Sequence, residues 1–464
     1  MPLVVSPVLL PDLPAIQRLS ISVEADTTTG SLLFPNGASE TSIAHLVKQD
    51  EKDMRDPKCT CRHIIMRDVP EGTDACGDDG KARGEIVSYA MWNFFVGREK
   101  ANKEGQDKEE RIGDGAYYES WPPDAHHEAL EVLVEMGKKK REGIMGDGNY
   151  AFLASLCTSP THRRMGAASK LIEWGLALAD AHLLPTYVES TPGALPLYLK
   201  HGFEKVDTMT IDLHQWGRDH IQEHIILIRP AQKPSTARDE IRITPVLTNA
   251  DFTVFDSIEK AASTPEPTSQ ALPSKEAPKP TSVFPLITKD VPLTSGPSSR
   301  TTFLIENSIT DPTSHYLKAF IPSTNTTIAF ALFQICPTPS LRPQRMPWPH
   351  GANHVLVNAF FGKMHQAEER YMDGKPYILL HALAVAPGWQ GKGVGRRLLE
   401  WGLEIADREG WECWVDASRE GVGLYRKLGW REVGEVRVDL GEWGGEEGVV
   451  ERAVLMVRKP GGGG

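Results

Sequence analysis

The chain has 464 residues, too many for one small module, and at roughly 100 to 200 residues per domain this implies two or three domains. Hydrophobic residues at 40% and charged residues at 24% exclude a wholly disordered or fibrous chain. Lys and Arg number 51 against 62 Asp and Glu, a formal charge of −11, and that field argues against nucleic acid or an anionic membrane as partner.

In chain order, the start, MPLVVSPVLLPDLP, is apolar but has no basic residue and four prolines, which spoils a signal peptide. No run reaches the ~18 apolar residues of a membrane span. Val4 to Leu9 reads as an opening strand, followed by a helical region whose limits are poorly defined. Cys59-Thr-Cys61-Arg-His63 could suggest metal ligands, but no second pair follows at a finger or ribbon spacing, so reduced strand cysteines are expected and no metal. Six irregularly spaced cysteines fit a reducing compartment, cytoplasmic or nucleocytoplasmic. Strands follow at His63 to Arg67 and Glu85 to Phe95, and the charged stretch Arg98 to Arg111 reads as a mobile loop. A buried strand, Tyr150 to Cys157, runs through a turn into an amphipathic helix, Ala167 to Ala181, then a strand, Thr186 to Glu189, and a short helix.

The chain then repeats. Shifted by 227 residues, its halves align without a gap from Trp121 to Gly217: Trp121 meets Trp348, Tyr150 meets Tyr377, Gly166 meets Gly393, Glu173-Trp-Gly-Leu176 meets Glu400-Trp-Gly-Leu403, and Tyr198 meets Tyr425. Two copies of one domain, 1–230 and 241–460, account for the length, with 231–240 as a linker. The second copy opens at Arg242 to Leu247. A segment rich in Pro, Ser and Thr, about 263–301, is expected to be a disordered insertion. Strands at Tyr316 to Ile321, Thr327 to Ile335, Tyr377 to Val385 and Glu412 to Asp416, with a helix at Val394 to Glu409, repeat the first order. This mixture indicates an α/β fold with an α+β mixed sheet. The tail from Gly461 to Gly464 is not expected to contribute to the fold.

The chemistry concentrates in His381-Ala-Leu-Ala-Val-Ala-Pro-Gly-Trp-Gln390-Gly-Lys-Gly-Val-Gly395-Arg396. A buried strand feeds a glycine turn whose N–H groups approach an anion closely, and the helix that starts there points its positive end at the same spot. It reads as a pyrophosphate cradle, with neither P-loop nor dinucleotide spacing, or as a structural turn, which glycines after a strand fit equally well.

Gln390-x-x-Gly393-x-Gly395 resembles the Q/R-x-x-G-x-G/A signature of the GCN5-related N-acetyltransferase (GNAT) superfamily, and Arg163-x-x-Gly166-x-Ala168 repeats it in the first copy. Tyr-x-Lys-x-Gly followed by Phe or Trp, at 198 to 203 and 425 to 430, is similar to the end of that family's fourth helix. The resemblance implies two tandem GNAT-type domains and acetyl-CoA as co-substrate. Its pantetheine would pair with the backbone of Leu383, Ala384 and Val385, and its pyrophosphate would sit on the amides of Gln390, Gly391, Lys392, Gly393, Val394 and Gly395, with Arg396 at the rim. Leu156, Thr158, Arg163, Arg164, Gly166 and Ala168 are the first copy's counterparts.

A free amine then attacks the thioester directly, so Cys157 and Cys413 are packing residues. Tyr425, with Tyr198 as its counterpart, suits protonation of the leaving thiolate. His381 suits deprotonation of the ammonium. The strand around it resembles that of arylalkylamine N-acetyltransferases, although their frequent second histidine, two residues earlier, is Leu379 here. Glu189 and Asp416 are alternative bases, read as solvated strand ends. The first copy has Ala154 where the second has His381, so the second is expected to carry the main activity, while the first binds acetyl-CoA weakly, has a separate specificity or is structural. Trp348, Phe360, Phe361 and Tyr371, with Trp121 and His126-His127 in the first copy, are expected near the acceptor entrance.

The expected activity is acetyl transfer to a primary amine of a small molecule by a monomer or homodimer. The alternatives are a protein or peptide N-acetyltransferase and a non-catalytic acyl-CoA-binding protein.

Overall fold

The computed structural model describes residues 3–462 except 26, 70–83, 97–120, 233–240, 247, 264–281, 290–298, 339–341, 346–347 and 349–350. The expected loop at Arg98 to Arg111 and most of the 231–240 linker lie outside the described residues. The chain forms two compact units, one mainly from residues before 252 and one mainly from residues after it.

The first contains strands β1 (Leu3–Pro7), β2 (Cys61–Asp68), β3 (Glu85–Phe95), β4 (Tyr150–Thr158), β5 (Thr186–Ser190), β6 (Glu204–Asp212) and β7 (Ile221–Arg229). They form one sheet in the order β1-β2-β3-β4-β5-β7-β6, in which β4 and β5 are parallel and the other neighbours antiparallel. The helices are α1 (Leu13–Ala25), α2 (Thr28–Leu33), α3 (Glu40–Arg55), α4 (His127–Met145), α5 (Ala167–Ala181) and α6 (Leu195–Lys200).

The second half repeats the plan with β8 (Arg242–Pro245), β9 (Ser314–Ile321), β10 (Thr326–Cys336), β11 (Tyr377–Val385), β12 (Glu412–Ala417), β13 (Arg431–Asp439) and β14 (Val450–Arg458). Their sheet order is the same, β8-β9-β10-β11-β12-β14-β13. Its helices are α7 (Ala250–Ser263), α8 (Val283–Ile287), α9 (Ser299–Thr310), α10 (His354–Val357), α11 (Lys363–Tyr371), α12 (Val394–Glu409) and α13 (Val422–Lys427), and a π turn at Asn358–Gly362 joins α10 to α11. Of the insertion expected over 263–301, residues 264–281 and 290–298 lie outside the described residues, and helix α8 corrects the expectation of exposure for Val283–Ile287. Val283, Leu286 and Ile287 are buried with α10 and the β13–β14 hairpin, and Val283 N–H donates to Glu451 Oε2 at 3.0 Å.

Alternating residues of the central strands serve two layers. In β4, Ala151 and Leu153 pack with α5, while Tyr150, Phe152 and Ala154 pack with Ala129, Leu133 and Met136 of α4. The duplicated Trp-Gly-Leu has a packing cause: a Cβ on Gly175 would lie 2.0 Å from the Trp92 ring, and one on Gly402 2.4 Å from the Phe333 ring. Only glycine lets α5 and α12 lie this close to the sheet. Each helix end is also tied to the last strand by a two-pronged ion pair, Arg229 to Asp180 at 2.5 and 2.9 Å and Arg458 to Asp407 at 2.7 and 2.8 Å. Among the described residues, no helix is long and apolar enough to cross a membrane.

Candidate active site

In each sheet the parallel pair separates before its strands end. Strand β11 pairs with β12 only from Tyr377 to Leu380, although it continues along β10 to Val385, and β4 pairs with β5 only from Ala151 to Leu153. Among the described residues, the backbone beyond those points, including Leu383 to Val385 and Leu156 to Thr158, therefore has no strand partner on that side, as an extended ligand pairing with it requires.

A bulge sits at the fork. Leu332 pairs with Ala382 and Phe333 with Leu380, which leaves His381 unpaired; Met91 and Trp92 skip Ala154 in the same way. An extra residue bends the strand and re-aims its side chain. His381 and Ala154 are thus equivalent in geometry as well as in sequence.

The turns after these strands share one backbone shape. Gly393 and Gly166 cap α12 and α5 in the left-handed region, with φ of 80° and 87°. Neither cap has a side-chain hydrogen bond, and the first helical bonds close at Arg397 N–H to Gly393 O (3.2 Å) and Lys170 N–H to Gly166 O (3.1 Å). Helices leave their first-turn amides without intrahelical partners. Here the turn residues Gln390, Gly391, Lys392 and Gly393 and the first-turn residue Arg396 are exposed, while Val394 and Gly395 are buried; a helix start of this kind fits an anion. A Cβ at Gly395 would meet Leu424, Val385 and Leu383 at 3.5 to 3.7 Å, ordinary contact distances, in keeping with Ala168 at the equivalent place in the first domain. Helix start, strand end and α13 converge on that residue. Gln390 Nε2 donates to Val385 O at 3.1 Å, Lys392 lies 4.8 Å from the centre of the Trp389 ring, and Arg396 pairs with Glu400 at 2.9 Å.

The first turn has a feature that sequence reasoning missed. Arg164 has φ 65°, where its counterpart Gly391 has φ 71°. A non-glycine residue pays on the order of 1–2 kcal/mol for this conformation. Arg163, Arg164 and Gly166 are exposed, and Ala168 is half-buried in the first turn of α5.

Tyr198 and Tyr425 are buried at 5% and 6% exposure, each edge-on to the aromatic residue closing its motif, Phe203 or Trp430. Burial raises both phenol pKa values above the usual 10, so both are protonated at neutral pH. Burial likewise pushes the Cys157 thiol up to about 11 and that of Cys413 to about 12, which makes them poor nucleophiles.

The candidate bases exchange properties relative to expectation. Burial, with Arg300, Arg345 and His365 nearby, pushes the His381 pKa down to about 3, so the imidazole stays neutral and cannot retain a proton at neutral pH. Asp416 is no solvated strand end. It is half-buried beside the fork, and Trp414 Nε1 donates to its Oδ1 at 2.9 Å. Burial, aided by Glu368 and opposed by the Trp414 bond, pushes its pKa up to about 6. In the first domain Tyr187 Oη donates to Glu189 Oε1 at 3.1 Å, the same aromatic-x-carboxylate device at the same fork. Alternation in a strand puts residues i and i+2 on one face, so the aligned Tyr187-x-Glu189 and Trp414-x-Asp416 carried this signal in the sequence.

The acceptor faces differ between the domains. Glu368, fully buried, accepts from Tyr377 Oη at 2.8 Å and pairs with Arg345, whereas its counterpart by the repeat is Arg141, stacked 4.3 Å from the Phe152 ring centre. Of the expected aromatics, Trp348 and Phe361 lie 5.1 Å apart with half-exposed Phe284 at 5.5 Å from Trp348; Tyr371 packs 5.6 Å from Trp414, and Phe360 is core. His126 and His127 serve α4 locally: His126 Nδ1 accepts from Ala129 N–H at 3.3 Å, and His127 Nε2 donates to Pro122 O at 2.9 Å. His63 bonds the Tyr89 hydroxyl at 2.8 Å, and Cys61 bonds Asn93.

Comparison with known proteins gives two family matches, an acetyltransferase (GNAT) family model over residues 105–203 and an acetyltransferase (GNAT) domain model over 354–432. An acetyltransferase of Stachybotrys chartarum is 31% identical over 88 residues, 19% of this chain and 36% of that protein. An uncharacterized N-acetyltransferase of Schizosaccharomyces pombe is 27% identical over 121 residues, 24% of this chain and 49% of that protein. The chain thus spans between a third and a half of the curated relatives it matches. A solved mosquito arylalkylamine N-acetyltransferase-like protein is 17% identical, covering 47% of this chain and all of the other, at a TM-score of 0.31, too low to carry weight. The two matches fall on the two halves that share one sheet order and one strand-turn-helix geometry, and the chain carries two GNAT acetyltransferase domains in tandem.

Proposed function

We propose that the protein is an acetyl-CoA-dependent N-acetyltransferase, built of domains at 1–230 and 241–460, whose second domain carries the main activity and whose acceptor is a primary amine of a small molecule. The observation that carries this reading is the second domain's fork. There an unpaired strand edge, an uncapped helix start, a protonated Tyr425 and a carboxylate of raised pKa belong to adjoining elements. Acetyl-CoA supplies the activated acyl group; the chain supplies binding, orientation and proton transfer.

The amides from Gly391 to Arg396 would hold the pyrophosphate, and Leu383 to Val385 the pantetheine. Asp416, ionised above about pH 6, takes a proton from the ammonium, while neutral His381 accepts a hydrogen bond from the amine and orients it. Tyr425 donates to the departing sulfur. These assignments move the base from His381 to Asp416, because a group of pKa near 3 gives too little driving force for the proton.

Support for a small acceptor comes from the cover over the sheet face that bears His381 and Asp416. Helices α8, α10 and α11 pack there with the aromatic group Phe284, Trp348 and Phe361, suited to an apolar amine or a cation. Free cysteines support a reducing, cytosolic or nucleocytoplasmic setting. The test is CoA release from acetyl-CoA with a panel of small amines and of peptides. Release with small amines supports the reading, release with peptides alone replaces the acceptor, and release with neither, together with tight acetyl-CoA binding, makes the protein a non-catalytic acyl-CoA binder.

A further inference from the structure

We propose that the first domain is a second acetyl-transfer centre in its own right, in which Glu189 takes the acceptor's proton and Tyr198 protonates the leaving thiolate. The inference rests on the N-acetyltransferase reading above and extends it to a half of the chain that the sequence disfavoured.

The objection to the first domain was Ala154 in place of His381. The structure removes it. His381 is neutral through the working pH range, so the substitution costs an orienting contact and leaves the proton acceptor untouched. The group that can take the proton in the second domain is Asp416, and Glu189 repeats it at the next position along the same parallel pair. Leu153 pairs with Val188 and Leu380 with Val415, each one residue before the bulge and the carboxylate. In both domains an aromatic donor two residues back fixes the carboxylate, Tyr187 at 3.1 Å and Trp414 at 2.9 Å. A decayed copy has no reason to keep a half-buried, bonded carboxylate at this point.

Two further observations agree. Tyr198 is as buried as Tyr425, and among the described residues neither hydroxyl has a hydrogen-bond partner, which leaves each free to donate to a ligand. The first turn also keeps the left-handed conformation at Arg164 despite its conformational cost. It thereby preserves the cradle's backbone and sets two guanidinium groups, Arg163 and Arg164, where the second domain has Gln390 and Gly391.

The ligands are an acyl-CoA thioester and a primary amine. Glu189 removes one proton from R-NH3+. The amine nitrogen forms the C–N bond to the thioester carbonyl carbon and the C–S bond breaks. A second proton leaves nitrogen as the amide forms, the Tyr198 hydroxyl supplies the proton that turns thiolate into CoA-SH, and the tyrosine is made good by that second proton. Net products are the amide, CoA-SH and one proton on Glu189. Because Arg141 stands where the second domain has Glu368, the two centres do not share one acceptor range.

The experiment uses the full-length chain and every amine that the wild type acetylates. Glu189→Gln is expected to lower kcat at least tenfold for a subset of those amines with the KM for acetyl-CoA unchanged, and Tyr198→Phe to affect the same subset. Asp416→Asn is expected to affect the others. Wild-type kcat in Glu189→Gln for all accepted amines, with an unchanged melting temperature, overturns the proposal while leaving the N-acetyltransferase reading intact. A wild type that releases CoA with no amine or peptide overturns that reading and this one with it.

Discussion

Asp416→Asn separates catalysis from stability at one atom. The Asp416 pKa is raised from 3.8 to about 6, and one unit corresponds to about 1.4 kcal/mol, so ionising this carboxyl in the folded chain costs about 3 kcal/mol at most. Because the folded value is the higher one, the cost is absent below about pH 4, grows between pH 4 and 6, and is complete above about pH 7. Asparagine keeps an oxygen to accept from Trp414 Nε1 and carries no charge. The variant is therefore expected to melt several degrees higher than wild type at pH 8, with the gain vanishing toward pH 4. Its CoA release with second-domain acceptors is expected to fall by roughly 10² to 10⁴, the usual loss for a general base. Wild-type turnover would refute the assignment of the base. A stability change that did not vary with pH would refute the raised pKa.

Other expectations follow from single contacts. Gly402→Ala and Gly175→Ala, which elsewhere in a helix would gain up to about 1 kcal/mol, are expected to destabilise by about 1–3 kcal/mol or more, since the added methyl meets the Phe333 or Trp92 ring; denaturant titration checks this. Tyr425→Phe is expected to lower turnover in the second domain while leaving acetyl-CoA affinity nearly unchanged, and His381→Ala to raise the acceptor KM more than it lowers kcat, both read from steady-state kinetics. Arg164→Gly is expected to change stability by less than about 1 kcal/mol, because relief of the left-handed strain is offset by glycine's unfolded-state entropy. It should weaken acetyl-CoA binding by the first domain through loss of a cation, measurable by calorimetry.

Much of this architecture was legible in the residues because apolar periodicity and the 227-residue repeat reinforce each other. Strands β3 and β11 and helices α5 and α12 have the limits that their patterns imply. Helix α8 was hidden because five residues flanked by Pro- and Ser-rich sequence do not complete a periodic signal, and its burial depends on a distant hairpin, shown by Val283 bonding Glu451 across 168 residues. The cradle was visible as spacing, whereas the conformation of Arg164 was not, since an arginine gives no sign of positive φ. Assigning the base from residue type favoured histidine over aspartate; burial reverses their pKa order, and burial is a property of the surroundings. The bidentate pairs Arg229 with Asp180 and Arg458 with Asp407 join residues about 50 apart, a separation with no local signature.

The central claim is that two forks of one design each hold an acyl-CoA. Calorimetric titration of the full-length protein with acetyl-CoA tests it most directly. Two equivalents per chain are expected, reduced to one by Gly166→Glu and to one by Gly393→Glu, each of which places a bulky carboxylate in a cradle built for an anion. A single equivalent that Gly166→Glu leaves unchanged, or none at all, would contradict the account.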